Sequence, residues 1–145
     1  MTLILTSDHL QQIQSHAQQT YPHECCGLIL GHLEGDRKQV LEIHATQNAW
    51  SGDNFDTKRR YTIDPYDMML VQKSSRDRNL NIIGIYHSHP DCEAVPSECD
   101  RLAAWPQYSY LIVSVHQGVA QDCLCWTLDD EDQFQREPFT ISHST

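Results

Sequence analysis

No apolar run in the chain approaches the roughly 20 residues that a membrane-spanning helix needs, and the start, Met1-Thr-Leu-Ile-Leu-Thr-Ser-Asp, carries neither a basic leader nor an apolar segment long enough for a signal peptide. The expectation is a cytoplasmic protein without a membrane partner. Positive charge is scarce: 10 Lys and Arg stand against 20 Asp and Glu, a formal net charge of −10. Phosphate binding relies on clustered cations, so nucleic acid is an unpromising partner. The longest basic run is Lys58-Arg59-Arg60, and three residues do not make a groove. No Cys-x-x-Cys pair occurs among the six cysteines, which weighs against a cysteine-rich structural zinc site. Cys25 and Cys26 are neighbours, and Cys123 and Cys125 alternate along an apparent strand, so the spacing is no disulfide framework either. Cys92 and Cys99 flank the candidate site described below and are expected to be small buried residues rather than metal ligands.

What remains is an ordinary globular composition, 145 residues with 39% hydrophobic and 21% charged, enough for one domain with one core. No repeat, low-complexity segment or dividing linker interrupts residues 1–145, which read as a single domain. A strand around Leu3–Leu5 leads to Ser7-Asp8, a helix cap. Leu10, Ile13, Ala17 and Tyr21 then recur at helical spacing until Pro22. Cys26-Gly-Leu-Ile-Leu-Gly has the composition of a buried strand, and Gln39–Ala45 alternates as its hairpin partner across a Glu34-Gly35-Asp36 turn.

Residues 46–60 read as a long polar loop of the kind that often binds something. Tyr61-Thr-Ile reads as a brief strand. Asp64-Pro65 opens a second helix, with Tyr66, Met69, Leu70 and Lys73 on one face. Asn81–His87 is an apolar strand running into His87-Ser88-His89-Pro90. Ser97 starts a short third helix closed by Pro106. Strands at Tyr110–His116 and Ala120–Leu128 join at Gly118, and Phe134–Ile141 forms an edge strand that tolerates Pro138. The fold class is α/β, with mixed strands and about three helices.

The chemistry concentrates in few residues. His87 and His89 stand two apart near a strand end, so both imidazoles point to one side. Asp100 lies eleven residues beyond His89, in the first turn of the helix that Ser97 begins, and the loop between is long enough to return its carboxylate to the same point. Two His and one Asp suit Zn²⁺ and leave a fourth position for water, the arrangement of catalytic rather than structural zinc. Zinc lowers the pKa of bound water to about 7. A carboxylate is then needed to move its proton, and Glu24, between a helix end and a buried strand, is the candidate. Ser97 is open to two roles, donor to a developing oxyanion or helix cap. His-x-His alone is usually coincidence, and His9, His16, His23, His32, His44, His116 and His143 read as surface or loop residues. Weight comes from the joint occurrence of Glu24, His87, His89, Ser97 and Asp100.

Together these positions resemble the JAMM (MPN+) metalloprotease family: a Glu upstream, His-Ser/Thr-His-Pro, then a Ser after seven residues from Pro90 to Pro96, two more residues and an Asp. The resemblance extends from the first helix to about His116 and is nearest to the small free-standing bacterial branch, through Glu24-Cys-Cys-Gly-Leu-Ile-Leu-Gly. It implies a curved mixed β-sheet flanked by about three helices, of the cytidine-deaminase-like kind. It also implies zinc held by His87, His89 and Asp100, Glu24 as general acid/base and Ser97 stabilising the tetrahedral intermediate. Family members cut the bond after the C-terminal glycine of ubiquitin or a ubiquitin-like protein. The branch is similar to enzymes that release cysteine from a ubiquitin-fold sulfur carrier in cysteine biosynthesis. The long insertions by which eukaryotic relatives grip ubiquitin are absent, so a tail would use Asn48–Arg60 and exposed sheet edges, with Trp50, Phe55 and Trp105 either groove walls or core packing. The alternative is a non-catalytic MPN-type module that binds a ubiquitin-like partner. A nucleoside deaminase would need Pro-Cys-x-x-Cys, which is missing.

Overall fold

A computed structural model describes residues 1–52 and 56–142. Phe55 and His143, both singled out above, lie outside the described residues, as do residues 53–54 of the expected loop. The elements run β1 (Thr2–Thr6), α1 (Ser7–Thr20), β2 (Cys26–Glu34), β3 (Arg37–Thr46), α2 (Pro65–Asp77), β4 (Asn81–Pro90), α3 (Glu98–Ala103), β5 (Ser109–His116), β6 (Val119–Leu128), β7 (Phe134–Glu137) and β8 (Phe139–Ser142). Eight strands form one mixed sheet in the order β7-β6-β5-β4-β2-β3-β1-β8.

The two edge strands, β7 and β8, are separated by Pro138 alone. Seven strand spacings of about 4.8 Å would put them about 34 Å apart in a flat sheet, so the sheet must curl until its edges nearly meet. The expected single edge strand over Phe134–Ile141 is therefore two strands on opposite edges. Pro138, which has no N–H to offer a ladder, is the corner between them, and its carbonyl accepts from Leu3 N–H on β1 at 3.0 Å. Inside the curl, Lys38 of β3 and Glu137 of β7, only 5% and 4% exposed, pair at 3.0 Å. Ser109 of β5 donates to Glu137 at 2.6 Å and accepts from Lys38. Three strands that are not neighbours in the sheet are thus tied through its interior.

The curled sheet separates two cores. One gathers Leu3, Leu5, Ile29, Val40, Leu111, Val113 and Val115 around α1. Here the expected face is the observed one, with Ile13 and Ala17 buried and Leu10 and Tyr21 packed beside them. Its cap is Thr6 rather than Ser7-Asp8: Thr6 Oγ1 accepts from His9 N–H while His9 Nδ1 accepts from Thr6 N–H. The other core joins Leu28, Leu30, Ile82, Ile85 and Tyr110 to α2. Asp64 and Pro65 do start α2, but its buried positions are Val71 and Ser75 with Met68 packed alongside. Tyr66, Met69 and Leu70 face solvent, because only one stripe of an amphipathic helix can meet the sheet. Tyr61–Ile63 does not join the sheet. Its Thr62 N–H is taken by the side chain of Asn48 and its Thr62 carbonyl by Ala49 N–H.

β4 and β5 run parallel, which requires a crossover rather than a hairpin. That crossover, residues 91–108, leaves the carboxyl end of β4 and carries α3. The segment bearing Asp100 thus begins where the histidine pair ends. At the other end of β4, a Cβ at Gly84 would lie 2.7 Å from the Ser109 carbonyl, so glycine permits the close approach of β5.

Removing one partner of the interior ion pair should cost about 3–5 kcal/mol, since the other charge is left buried and unpaired. In urea titrations, Glu137→Leu should lose that much, and Lys38→Met/Glu137→Leu should regain most of it. A double variant as unstable as the single one would show that the pair is not what closes the sheet.

Candidate metal centre

β4 stays in the sheet through the whole motif, pairing His87, Ser88 and His89 with Ile112, Val113 and Ser114 of β5. Successive residues therefore face opposite sides. His87 and His89 project together from the face that also presents Ile85, and Tyr61 packs onto that face, its ring stacked on His87 with centroids 4.4 Å apart. Ser88 points the other way, its Oγ accepting from Cys25 N–H at 2.8 Å while its own N–H donates to the Cys25 carbonyl. The serine between the histidines thereby clips the residue after Glu24 to the motif.

Ser97 caps α3 in a reciprocal box: Asp100 N–H donates to Ser97 Oγ at 3.1 Å, and Ser97 N–H donates to Asp100 Oδ2 at 2.9 Å. The same Oδ2 lies 3.0 Å from His89 Nε2 and 3.3 Å from His87 Nε2, and the two Nε2 atoms are 3.2 Å apart. Ligand atoms at 2.0–2.1 Å around a tetrahedral zinc are spaced by about 3.3 Å. The observed triangle matches one face of that tetrahedron. His89 Nδ1 lies 2.8 Å from the Glu93 carbonyl, which only accepts, so this nitrogen carries the proton and Nε2 keeps a lone pair for a cation. These three residues form a group that could hold a metal ion. Lone pairs converging this closely repel unless a cation or shared protons lie among them.

Glu24 is 5% exposed, and its Oε1 has no hydrogen-bond partner among the described residues, as is true of His87 Nδ1. Burial drives its pKa up to about 8, with the neighbouring Asp100 adding to the rise and the charges of His89 and Arg60 opposing it. Burial would also raise Asp100, but the charges and hydrogen bonds of His87 and His89 reverse this and hold it well below the usual carboxylate range. His87, wholly buried, is lowered by desolvation against the pull of Asp100. Burial pulls His89 down too, yet its bonds to Asp100 and the Glu93 carbonyl leave it raised.

Ser97 resolves into a cap whose hydroxyl proton is still uncommitted: Oγ accepts through a lone pair and makes no donor bond among the described residues. Such a cap leaves the hydroxyl proton free to be donated. Ser97, Glu24 and His89 line one cleft of about 960 Å³, together with Lys58, Arg59, Arg60, Asp91, Cys92 and Glu93. Cys92 is exposed and Cys99 half-buried, so neither is the small buried residue expected, and neither joins the ligand group. Trp50 and Trp105 do not line the cleft, and Trp105 is 59% exposed, so it is not core packing either. His16 is half-buried rather than freely exposed, its Nδ1 2.7 Å from the Tyr86 hydroxyl beneath α1.

Asn48 escaped the sequence reading as one polar loop residue among several. Its amide donates to the carbonyls of Glu24 and Arg60, at 3.1 and 2.8 Å, and its Oδ1 accepts from Trp50 and Thr62 N–H. Glu24 N–H in turn donates to the Thr57 carbonyl at 2.7 Å. An Asn between a β-hairpin and a long loop is the available signal, and it does not say which backbone is clamped.

A family model described as prokaryotic homologs of the JAB domain matches residues 6–129. The chain is 32% identical over 117 residues to a Haloferax volcanii protein named desampylase, covering 77% of this chain and 80% of that one. It is also 32% identical over 113 residues to the CysO-cysteine peptidase of Mycobacterium tuberculosis, covering 77% and 73%. The solution structure of a Desulfitobacterium hafniense protein matches over 99% of this chain and 94% of that one, with a TM-score of 0.83 at 27% identity.

Two outcomes follow for the metal-free protein. Glu24 is easier to protonate folded than unfolded, so wild-type stability is full below the ordinary carboxyl pKa of 4.5 and falls as pH rises towards and through 8. Glu24→Gln should therefore match wild type near pH 4.5 and exceed it by a few kcal/mol at pH 8–9, read from thermal melts in chelator. A pH-independent difference would contradict the assigned burial. Asn48→Ala should cost about 1–3 kcal/mol in urea titrations, because it strands four backbone groups at once.

Proposed function

The chain belongs to the family of prokaryotic homologues of the JAB domain, and we propose that it is a zinc peptidase cutting the bond after the C-terminal glycine of a ubiquitin-like protein. The substrate we assign is an adduct of a ubiquitin-fold sulfur carrier with cysteine, a cytoplasmic role in cysteine biosynthesis. Residues 1–145 would form one such domain. The observation that carries the reading is the triangle of His87 Nε2, His89 Nε2 and Asp100 Oδ2, with edges of 3.0–3.3 Å. The names of the relatives, desampylase and CysO-cysteine peptidase, support the class of chemistry. No helix among the described residues is long and apolar enough to cross a membrane.

His87, His89 and Asp100 would hold the zinc, which supplies Lewis acidity to the scissile carbonyl and to water. The residues do the rest. Glu24, placed in the same cleft with an unpartnered Oε1, takes the proton of the attacking water and delivers it to the leaving amine as the carbon–nitrogen bond breaks. Burial pushes its pKa up to about 8 in the metal-free site, and the positive charge of a bound ion would pull that value down towards the working range. Ser97 donates its free hydroxyl proton to the oxyanion while its lone pair keeps α3 capped. A binding module without catalysis would have no use for a complete donor set with a buried carboxylic acid beside it.

Elemental analysis should find about one zinc per chain. Glu24→Gln should keep the metal while slowing hydrolysis of a carrier–cysteine adduct about 10²–10⁴-fold. His89→Ala should lose both. Normal turnover by the Gln variant would remove Glu24 from the mechanism, and a metal-free wild type active in chelator would remove the zinc.

A further inference from the structure

Lys58-Arg59-Arg60 is the longest cationic run in a chain of net charge −10, and it is too short for nucleic acid. The fold places all three residues on the cleft that holds Glu24, His89 and Ser97. The run is fixed rather than merely nearby. Asp56 accepts from the backbone N–H groups of Lys58, Arg59 and Arg60, through its carboxylate for the first and its carbonyl for the other two. The turn so formed is clamped to the general acid/base by its own backbone: Glu24 N–H donates to the Thr57 carbonyl, and Asn48 bridges the Glu24 and Arg60 carbonyls. Lys58 and Arg59 are exposed, and their side chains make no hydrogen bond or ion pair among the described residues.

The other wall, residues 89–97, bears Asp91 and Glu93, with the Asp91 carboxylate accepting from the Tyr21 hydroxyl and from Gln117 N–H. An anion in the cleft is therefore drawn to one side, the side of Glu24. In a peptide-bonded adduct a single Cα lies between the scissile nitrogen and the α-carboxylate of the leaving residue. Whatever protonates that nitrogen must lie close to whatever binds that carboxylate. A lysine side chain leaving from an isopeptide bond has no carboxylate at that distance.

Resting on the peptidase reading above, we infer that Lys58 and Arg59 form a subsite for the free α-carboxylate of the leaving residue, so that the protein prefers carrier–amino-acid adducts to isopeptide conjugates. A guanidinium is suited to this, since it meets a carboxylate through two parallel N–H donors.

The test uses the Glu24→Gln protein, which holds its ligand uncut, titrated calorimetrically with a ubiquitin-fold sulfur carrier joined to cysteine or to cysteinamide. The free acid should bind about tenfold tighter. Lys58→Gln/Arg59→Gln on the same background should bind both alike. Equal affinities before those substitutions would overturn the inference. So would an equal loss for both adducts after them, which would put the cations on the carrier's body. If the Glu24 enzyme cut neither adduct while the affinity difference stood, the peptidase reading would fail and the carboxylate subsite would survive.

Discussion

One carboxylate oxygen carries the site. Asp100 Oδ2 closes the capping box of α3 through Ser97 N–H and meets both imidazole nitrogens within 3.3 Å. A helix of six residues contributes little stability of its own. Its start is fixed instead by the cap, and the cap uses the same side chain that faces the histidines. Stabilising the helix and presenting the candidate ligand are one act here. The parallel pairing of β4 with β5 explains why such a helix exists at this spot, since a crossover must leave the carboxyl end of β4 and the chain has 18 residues in which to return. The histidines, the crossover and the acid therefore follow from one topological choice.

The residues of this site were legible because their spacing is local or nearly so. His87 and His89 need only the two-residue period of a strand, and Ser97 and Asp100 need only the first turn of a helix. Glu24 was legible as an anomaly, a carboxylate at the mouth of a buried strand. What could not be read depends on contacts distant in sequence. The division of Phe134–Ile141 at Pro138 follows from the closure of the sheet, which rests on Lys38 meeting Glu137 across 99 positions. A run of alternating residues with one proline looks the same whether it serves one edge or two. Helical spacing of Tyr66, Met69, Leu70 and Lys73 marked α2 without saying which face is buried, and the sheet takes the Met68–Val71–Ser75 stripe instead. Tyr61–Ile63 has strand composition, yet the Asn48 side chain and Ala49 N–H take the Thr62 hydrogen bonds that a neighbouring strand would have taken.

Glu24 shows how stability and chemistry conflict at one residue. A buried carboxyl without a partner is a liability in the metal-free protein, and the surroundings do little to relieve it: burial outweighs the charges of His89 and Arg60. The fold accepts this cost and spends several interactions on keeping the residue in place. Ser88 clips Cys25, Thr57 takes the Glu24 N–H, and Asn48 takes its carbonyl. None of these bonds reaches the carboxylate. They fix the backbone and leave Oε1 without a partner among the described residues, which is the condition that the proposed proton transfer would need.

The same division separates what the metal group can specify from what it cannot. On the proposed reading, three ligand atoms and a proton carrier would set a reaction class, hydrolysis at a carbonyl, and nothing in that constellation would depend on what the leaving amine belongs to. Two relatives at the same 32% identity bear different names, desampylase and CysO-cysteine peptidase. Discrimination must come from the cleft walls, where charge and shape act on groups beyond the scissile bond. In this chain those walls are loops, residues 56–60 on one side and 89–97 on the other, each tied by hydrogen bonds to a rigid strand end. Loops can change composition without disturbing the sheet, whereas the strand-borne histidines cannot move without breaking their register with β5. A fixed centre with exchangeable walls is how one curled sheet can serve more than one leaving group.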